Sequence, residues 1–196
     1  MDATRQRRVL VAGAGIGGLC AAIGLRRAGY EVSVFEAASA LRPVGAGLTI
    51  QPNAVLALRQ LGVGARIEAA AAHLHAGGLL RADGRPLTRL TPEAAEAIER
   101  ALGARILGMH RATLHAALVE ALPEGALQLG RRCSGFRQSG DQVRLQFSDG
   151  SEEVGAALIA ADGLHSVIRR ALLADGPPRY AGYTSWRGVT ERRDLV

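Results

Sequence analysis

RVLVAGAGIGGLCAAIGLRRAGYEVSVFEA, residues 8–37, decides the fold. Val9–Ala12 is a short apolar run of strand type, and it ends in Gly13, Gly15 and Gly18 at G-x-G-x-x-G spacing. From Ile16 to Arg27 the apolar positions roughly follow a helical period, and Gly29 stands where a helix C′ glycine belongs. Val32–Phe35 is a second strand, closed by Glu36. The stretch is a complete βαβ unit with an acidic residue about 20 positions beyond its glycines, the dinucleotide-binding pattern.

Each of these residues has a physical task. Gly13 permits a tight turn, Gly15 leaves no Cβ between backbone and a pyrophosphate, and Gly18 lets the helix pack closely on the strands. The unpaired amides at the helix start, including those around Ile16 and Gly17, then face the diphosphate. Glu36 is an acceptor for both ribose hydroxyls of an adenosine and repels a 2′-phosphate, so the site suits FAD or NAD better than NADP. A signal or membrane segment is the competing reading, because Val9–Leu25 carries no charge and follows Arg5, Arg7 and Arg8. The run is short for a span, holds several glycines and continues into a regular strand, which argues against it.

The chain has 196 residues with 48% hydrophobic and 21% charged content, the composition of a globular protein with a sizeable core. All 24 basic residues are arginine, giving a net charge of +6. These arginines are scattered and aromatics make up only 4%, which argues against a nucleic-acid partner. Cys20 and Cys133 have no C-x-x-C or Cys/His spacing and read as reduced core thiols of a cytoplasmic protein. The five histidines form no ligand set, so no metal is expected.

Beyond the first unit, residues 38–52 are loop-like and Gln51-Pro52-Asn53 opens a helix, with another over Val63–Ala72. Leu74–Leu90 reads as short strands about the Asp83-Gly84 turn, and Thr91-Pro92-Glu93 starts a helix through Leu102. Ile106–Met109 is a strand leading into a helix with Leu114, Leu118 and Leu122 on its apolar face. An antiparallel meander is expected over Leu127–Arg137 and Gln142–Ser148. Ala156–Ala161 then reads as a buried parallel strand, followed by a helix through Leu173 and strand character near Tyr183–Val189.

Four segments in order resemble the FAD-dependent aromatic hydroxylases and related single-component flavin monooxygenases. They are the opening βαβ unit, Val44-Gly45-Ala46-Gly47-Leu48-Thr49-Ile50-Gln51-Pro52-Asn53-Ala54, His110-Arg111-Ala112-Thr113-Leu114, and the A-D-G-x-x-S-x-x-R motif Ala161–Arg169. Tyr180–Tyr183 with Trp186-Arg187-Gly188 is similar to the next stretch of that family's chain. The resemblance implies a Rossmann-like α/β domain with a parallel sheet and a β-meander, plus part of a substrate-domain sheet. It divides the chain into FAD-binding segments at 1–73 and 105–178, a partial substrate-domain insertion at 74–104, and a truncated sheet at 179–196.

The resemblance also implies site residues. Gly13, Gly15, Ile16, Gly17 and Gly18 hold the diphosphate, and Glu36 with Ala37 the adenosine. Arg42 borders the cofactor, Gly45, Ala46 and Gly47 lie near the flavin, and Arg111 pairs with the diphosphate or ribityl region. Cys133 joins the cofactor-binding set. Asp162 and Gly163 serve FAD and NAD(P)H, with Arg169 anchoring their loop. Taken alone, Asp162-Gly163 reads as a turn with a helix-capping Asp, and Trp186 as packing. The implied reaction is NAD(P)H-dependent hydroxylation of an aromatic or similar electron-rich small molecule through a flavin C4a-hydroperoxide, and no catalytic acid or base is assignable.

A second acidic flavin motif of G-D-A-x-H type is absent from the sequence, so an incomplete N-terminal half is expected. Two alternatives stay open: a non-catalytic FAD-binding or interaction module, including half of a split enzyme, and a plain NAD-dependent dehydrogenase. An oligomer or a complementing C-terminal half stays open as a partner, while a membrane and nucleic acid are not expected.

Overall fold

A computed structural model describes residues 8–43, 45–75 and 77–187. Contacts divide them into two units, one of residues 8–42 and Leu118–Ser185, the other built on Pro43–Ala117.

The first unit grows from the glycine-rich stretch. Strand β1 (Arg8–Ala12) feeds helix α1 (Ile16–Arg27), which returns to β2 (Glu31–Phe35), parallel to β1 with Ala12 beside Phe35. Gly29 ends the helix at φ 86°, and the Tyr30 and Gly29 amides donate to the Leu25 and Arg26 carbonyls. After β8 (Leu127–Gln128), β9 (Cys133–Ser139), β10 (Gln142–Phe147) and β11 (Glu152–Gly155), strand β12 (Ala157–Ala160) pairs with β1 in parallel, and α6 (Val167–Leu173) comes after it. The parallel sheet runs β12-β1-β2-β8, and the antiparallel sheet runs β11-β10-β9.

The pleat explains the layering. Leu10, Ala12 and Phe35 share one face and form a buried cluster with Val143, Leu145 and Phe147 of the meander and Ile168 of α6. Phe35 and Phe147 meet with ring centroids 5.0 Å apart, a pair contributing about 1 kcal/mol beyond its burial. Val9, Val11, Val32 and Val34 alternate to the opposite face, and α1, which packs on β1 and β2, buries Leu19, Ala22 and Ile23. Arg8 ties the layers, with Nη1 2.9 Å from Glu153 and Nη2 donating to the Ser33 hydroxyl at 3.0 Å.

In the second unit β3 (Gly47–Ile50) and β4 (Ala72–His73) flank β7 (Leu107–His110) in an antiparallel sheet. Helices α2 (Pro52–Gln60) and α3 (Gly64–Ala70) come after β3, and α4 (Pro92–Leu102) comes after the hairpin of β5 (Gly77–Leu80) and β6 (Pro86–Leu90). Arg59 forks onto Glu68 at 2.8 and 2.7 Å and reaches the Gly103 carbonyl at 2.7 Å, joining α2, α3 and the end of α4. Helix α5 (Arg111–Glu120) begins directly after β7.

Several sequence expectations need correction. The run Leu127–Arg137 is not one meander strand: its first two residues form β8 and join the parallel sheet beside β2, and Gly130, at φ 72°, breaks the run before β9. Strand β12 is parallel as expected, but it lies at the sheet edge and Ala157 and Ala160 are exposed. No strand forms over residues 179–187, and Trp186 is 95% exposed rather than packed. The remainder of the expected strand, residues 188–189, and Val44 of the quoted G-A-G segment lie outside the described residues. Among the described residues no helix is long and apolar enough to cross a membrane.

Candidate FAD site

The three fingerprint glycines meet three different environments. Gly13 has φ 100°, and a Cβ there would lie 2.2 Å from the Ala161 carbonyl oxygen. Its amide donates to the Phe35 carbonyl at 2.7 Å, so the turn is clamped between β2 and the end of β12. A Cβ on Gly18 would meet the Gly13 carbonyl oxygen at 2.0 Å and the Ala161 Cβ at 3.2 Å. Gly15 and Gly17 have nothing within 4 Å of the corresponding point. Gly13 and Gly18 are therefore small for packing, while Gly15 and Gly17 face open space.

That space lies at the start of α1. Gly15 is the N-cap, no side chain caps the helix, and its first turn carries no acidic residue. The helix amides and the positive end of the dipole thus lack an anionic partner from the first turn, which is what a diphosphate supplies. Beside them, Glu36 accepts from the Ala14 amide through Oε2 at 2.9 Å and from the Ala38 amide through Oε1 at 2.9 Å. Two carboxylate oxygens offer about four lone-pair sites, so each retains capacity for a ribose hydroxyl. Ala37 lies between Glu36 and Ala38, whose amide helps to fix this carboxylate, and Ile16 is the first residue of α1. These residues fit an adenosine diphosphate group.

Asp162 and Gly163 stand just beyond β12, and the Ala161 carbonyl already abuts Gly13, so the motif adjoins the glycine turn. Gly163 turns at φ 83°. The Asp162 carboxylate accepts from the Ser166 hydroxyl at 2.6 Å and the Val167 amide at 2.8 Å, while the Ser166 hydroxyl accepts from the Arg169 amide at 2.9 Å. Asp162 and Ser166 together cap α6, the role its sequence position alone implied. Asp162→Ala is expected to lower the unfolding free energy by about 1–2 kcal/mol in a urea titration. Arg169 is ion-paired with Asp175 at 2.9 Å, on the loop leaving α6.

Cys133 Sγ donates weakly to the Gly135 carbonyl at 3.7 Å and packs against the core cluster. Burial pushes its thiol up from the ordinary value and the Asp162 charge adds to the shift; burial alone does the same at Cys20. Both thiols are free.

Gly45, Ala46, Gly47 and Arg111 come together in the second unit. Gly45 has φ 114°, and a Cβ there would lie 3.0 Å from the Arg111 Cδ. The Arg111 amide donates to the Ala46 carbonyl at 3.1 Å, and Gly47 pairs with His110 in the β3–β7 ladder. Arg111 is half-buried, whereas Arg42 is exposed and belongs to the first unit.

Arg131 escaped the sequence reading. Its guanidinium lies 3.9 Å from the Phe147 ring centroid and its backbone amide donates to the Glu36 carbonyl at 2.8 Å. Only its place directly after Gly130, inside an expected strand run, set it apart among scattered arginines.

A protein family described as an FAD binding domain matches residues 6–187. The chain belongs to that FAD binding domain family. Similar proteins include an aurachin C monooxygenase/isomerase of Stigmatella aurantiaca, 42% identical over 96% of this chain and 50% of that protein. A 3-amino-4-hydroxybenzoate 2-monooxygenase of Streptomyces cremeus is also 42% identical, over 94% of this chain and 46% of that protein. The crystal structure of Klebsiella pneumoniae HpxO complexed with FAD and uric acid superposes with a TM-score of 0.78 at 29% identity, covering 91% of this chain and 45% of that one. The chain spans about half the length of the curated relatives it matches.

Proposed function

We propose that this chain supplies the FAD-binding part of an NAD(P)H-dependent flavin monooxygenase acting on a small aromatic or similarly electron-rich molecule. The observation that carries the FAD site is the open space over Gly15 and Gly17 beside a doubly fixed Glu36 carboxylate. In this reading the first amides of α1 and the backbone of Gly13–Gly18 bind the diphosphate, and Glu36 with Ala37 binds the adenosine. Gly45–Gly47, Arg111, Arg42, Cys133, Asp162, Gly163 and Arg169 make up the rest of the cofactor set, with Asp162 and Arg169 shaping its loop. Bound FAD supplies the redox and oxygen chemistry; the chain supplies binding and orientation. Free cysteines accord with a reducing, cytoplasmic setting.

Calorimetry of the chain with FAD, NAD and NADP tests this. FAD is expected to bind at one per chain and at least about tenfold tighter than NAD, with NADP weakest because its 2′-phosphate meets Glu36. Tighter NAD than FAD binding would return the chain to the dehydrogenase reading. A second reading, half of a split enzyme completed by another polypeptide, is favoured by β12, whose outer edge has no neighbouring strand among the described residues.

A further inference from the structure

Glu36 reads an adenosine only if its backbone is held in register, and the outer side of that register is weakly built. Strand β8 is two residues long. At its end and beyond it, the Glu36 amide donates to the Gln128 carbonyl at 2.9 Å, the Arg131 amide to the Glu36 carbonyl at 2.8 Å, and the Gly130 amide to the Ala38 carbonyl at 2.9 Å. Gln128 and Arg131 therefore both pair with Glu36, and the two residues between them bulge outward at a Gly130 of φ 72°. Leu129 is exposed and Gly130 has no side chain, so no side chain of these two anchors the bulge.

The Arg131 side chain does. It turns inward over Phe147, the ring that packs against Phe35 immediately before Glu36. Its Nη1 donates to Asp149 Oδ2 at 3.0 Å and to the Ser151 hydroxyl at 2.8 Å, both in the β10–β11 turn. Nη2 lies 3.8 Å from Glu153, which holds Arg8. Hydrogen bonds from Ser151, with the Arg131 charge adding to them, keep the Asp149 carboxyl below its ordinary value, so this anchor is charged at neutral pH.

We propose that Arg131 is a positioning residue for adenosine recognition: it clamps the 128–131 bulge to the meander and so holds the Glu36 carboxylate where it meets the ribose hydroxyls. The proposal rests on the assignment of Glu36 to the ribose, and in it Arg131 acts through Glu36. Lysine at this position keeps a charge but has a single nitrogen, so it cannot bond Asp149 and Ser151 and also face Glu153 as Nη1 and Nη2 do together.

The test is the affinity of the full chain for ADP and for 2′,3′-dideoxy-ADP, which lacks the hydroxyls Glu36 would accept. Wild type is expected to prefer ADP. Arg131→Lys and Arg131→Met are expected to weaken ADP by about fivefold or more while shifting dideoxy-ADP less than about twofold, because the loss passes through Glu36. Equal weakening of both nucleotides would make Arg131 a merely structural residue and overturn the proposal, as would an unchanged ADP preference in both variants. A wild-type chain that binds the two nucleotides equally would instead remove the Glu36 assignment, and the proposal with it. Arg131→Lys keeps the test readable if Arg131→Met does not fold.

Discussion

Glu36→Arg is expected to raise the dissociation constant for FAD at least about tenfold, the loss of a charged hydrogen-bond acceptor worth roughly 1.5–3 kcal/mol. The substitution removes both carboxylate oxygens that hold the Ala14 and Ala38 amides, and it places a cation where the ribose hydroxyls need an acceptor. Glu36→Gln is the milder companion, since one acceptor oxygen remains to satisfy an amide and a hydroxyl. Fluorescence quenching of the flavin on titration reads both variants. Unchanged FAD affinity in Glu36→Arg would exclude the role given to this carboxylate.

The glycine fingerprint yields the second large effect, because its members separate stability from binding. Gly18→Ala drives a Cβ to 2.0 Å from the Gly13 carbonyl oxygen, a backbone atom that cannot yield without moving the turn. The cost is expected to reach about 3 kcal/mol or more, at the upper end of overpacking effects, and to appear as a lower Tm with or without FAD. Gly15→Ala meets nothing within 4 Å and has an ordinary backbone conformation at φ −69°, so its Tm without ligand should change little. Its methyl instead enters the space assigned to the diphosphate, and FAD affinity should fall by about tenfold or more. If Gly15→Ala binds FAD as well as the wild type does, the diphosphate does not lie there.

The same glycines explain what was legible in the sequence. The limits of α1 were readable because Gly15 and Gly29 act locally, as N-cap and as a positive-φ C′ residue. The helix starts at Pro52 and Pro92 were equally local, the latter with Thr91 accepting from the Ala94 amide. Strand β8 was not legible, since two residues carry no periodicity and their partner β2 lies some 90 positions away. Strand β11 was missed for another reason: Glu152 and Glu153 do not look like strand residues, yet both are engaged, by Gln146 and by Arg8. The edge placement of β12 was hidden because an apolar run reads alike at the centre and the border of a parallel sheet.

The candidate site divides along the same line. Its glycines and Glu36 were found because the βαβ unit is contiguous, and the contact of Ala161 with Gly13 now gives the Asp-Gly segment a physical reason to adjoin them. Asp162 illustrates the limit of motif reading, for both of its oxygens take part in the cap of α6. Arg131 was beyond reach because its meaning comes from Phe147, Asp149 and Ser151 together, across a turn and a ring that no spacing rule connects.

A crystal of the chain soaked with FAD is the most direct trial of the central claim. Diphosphate density is expected against the first amides of α1, over Gly15 and Gly17, with the adenosine ribose hydroxyls on the Glu36 carboxylate. A crevice left empty at saturating FAD, or a cofactor seated with its diphosphate elsewhere, would contradict it.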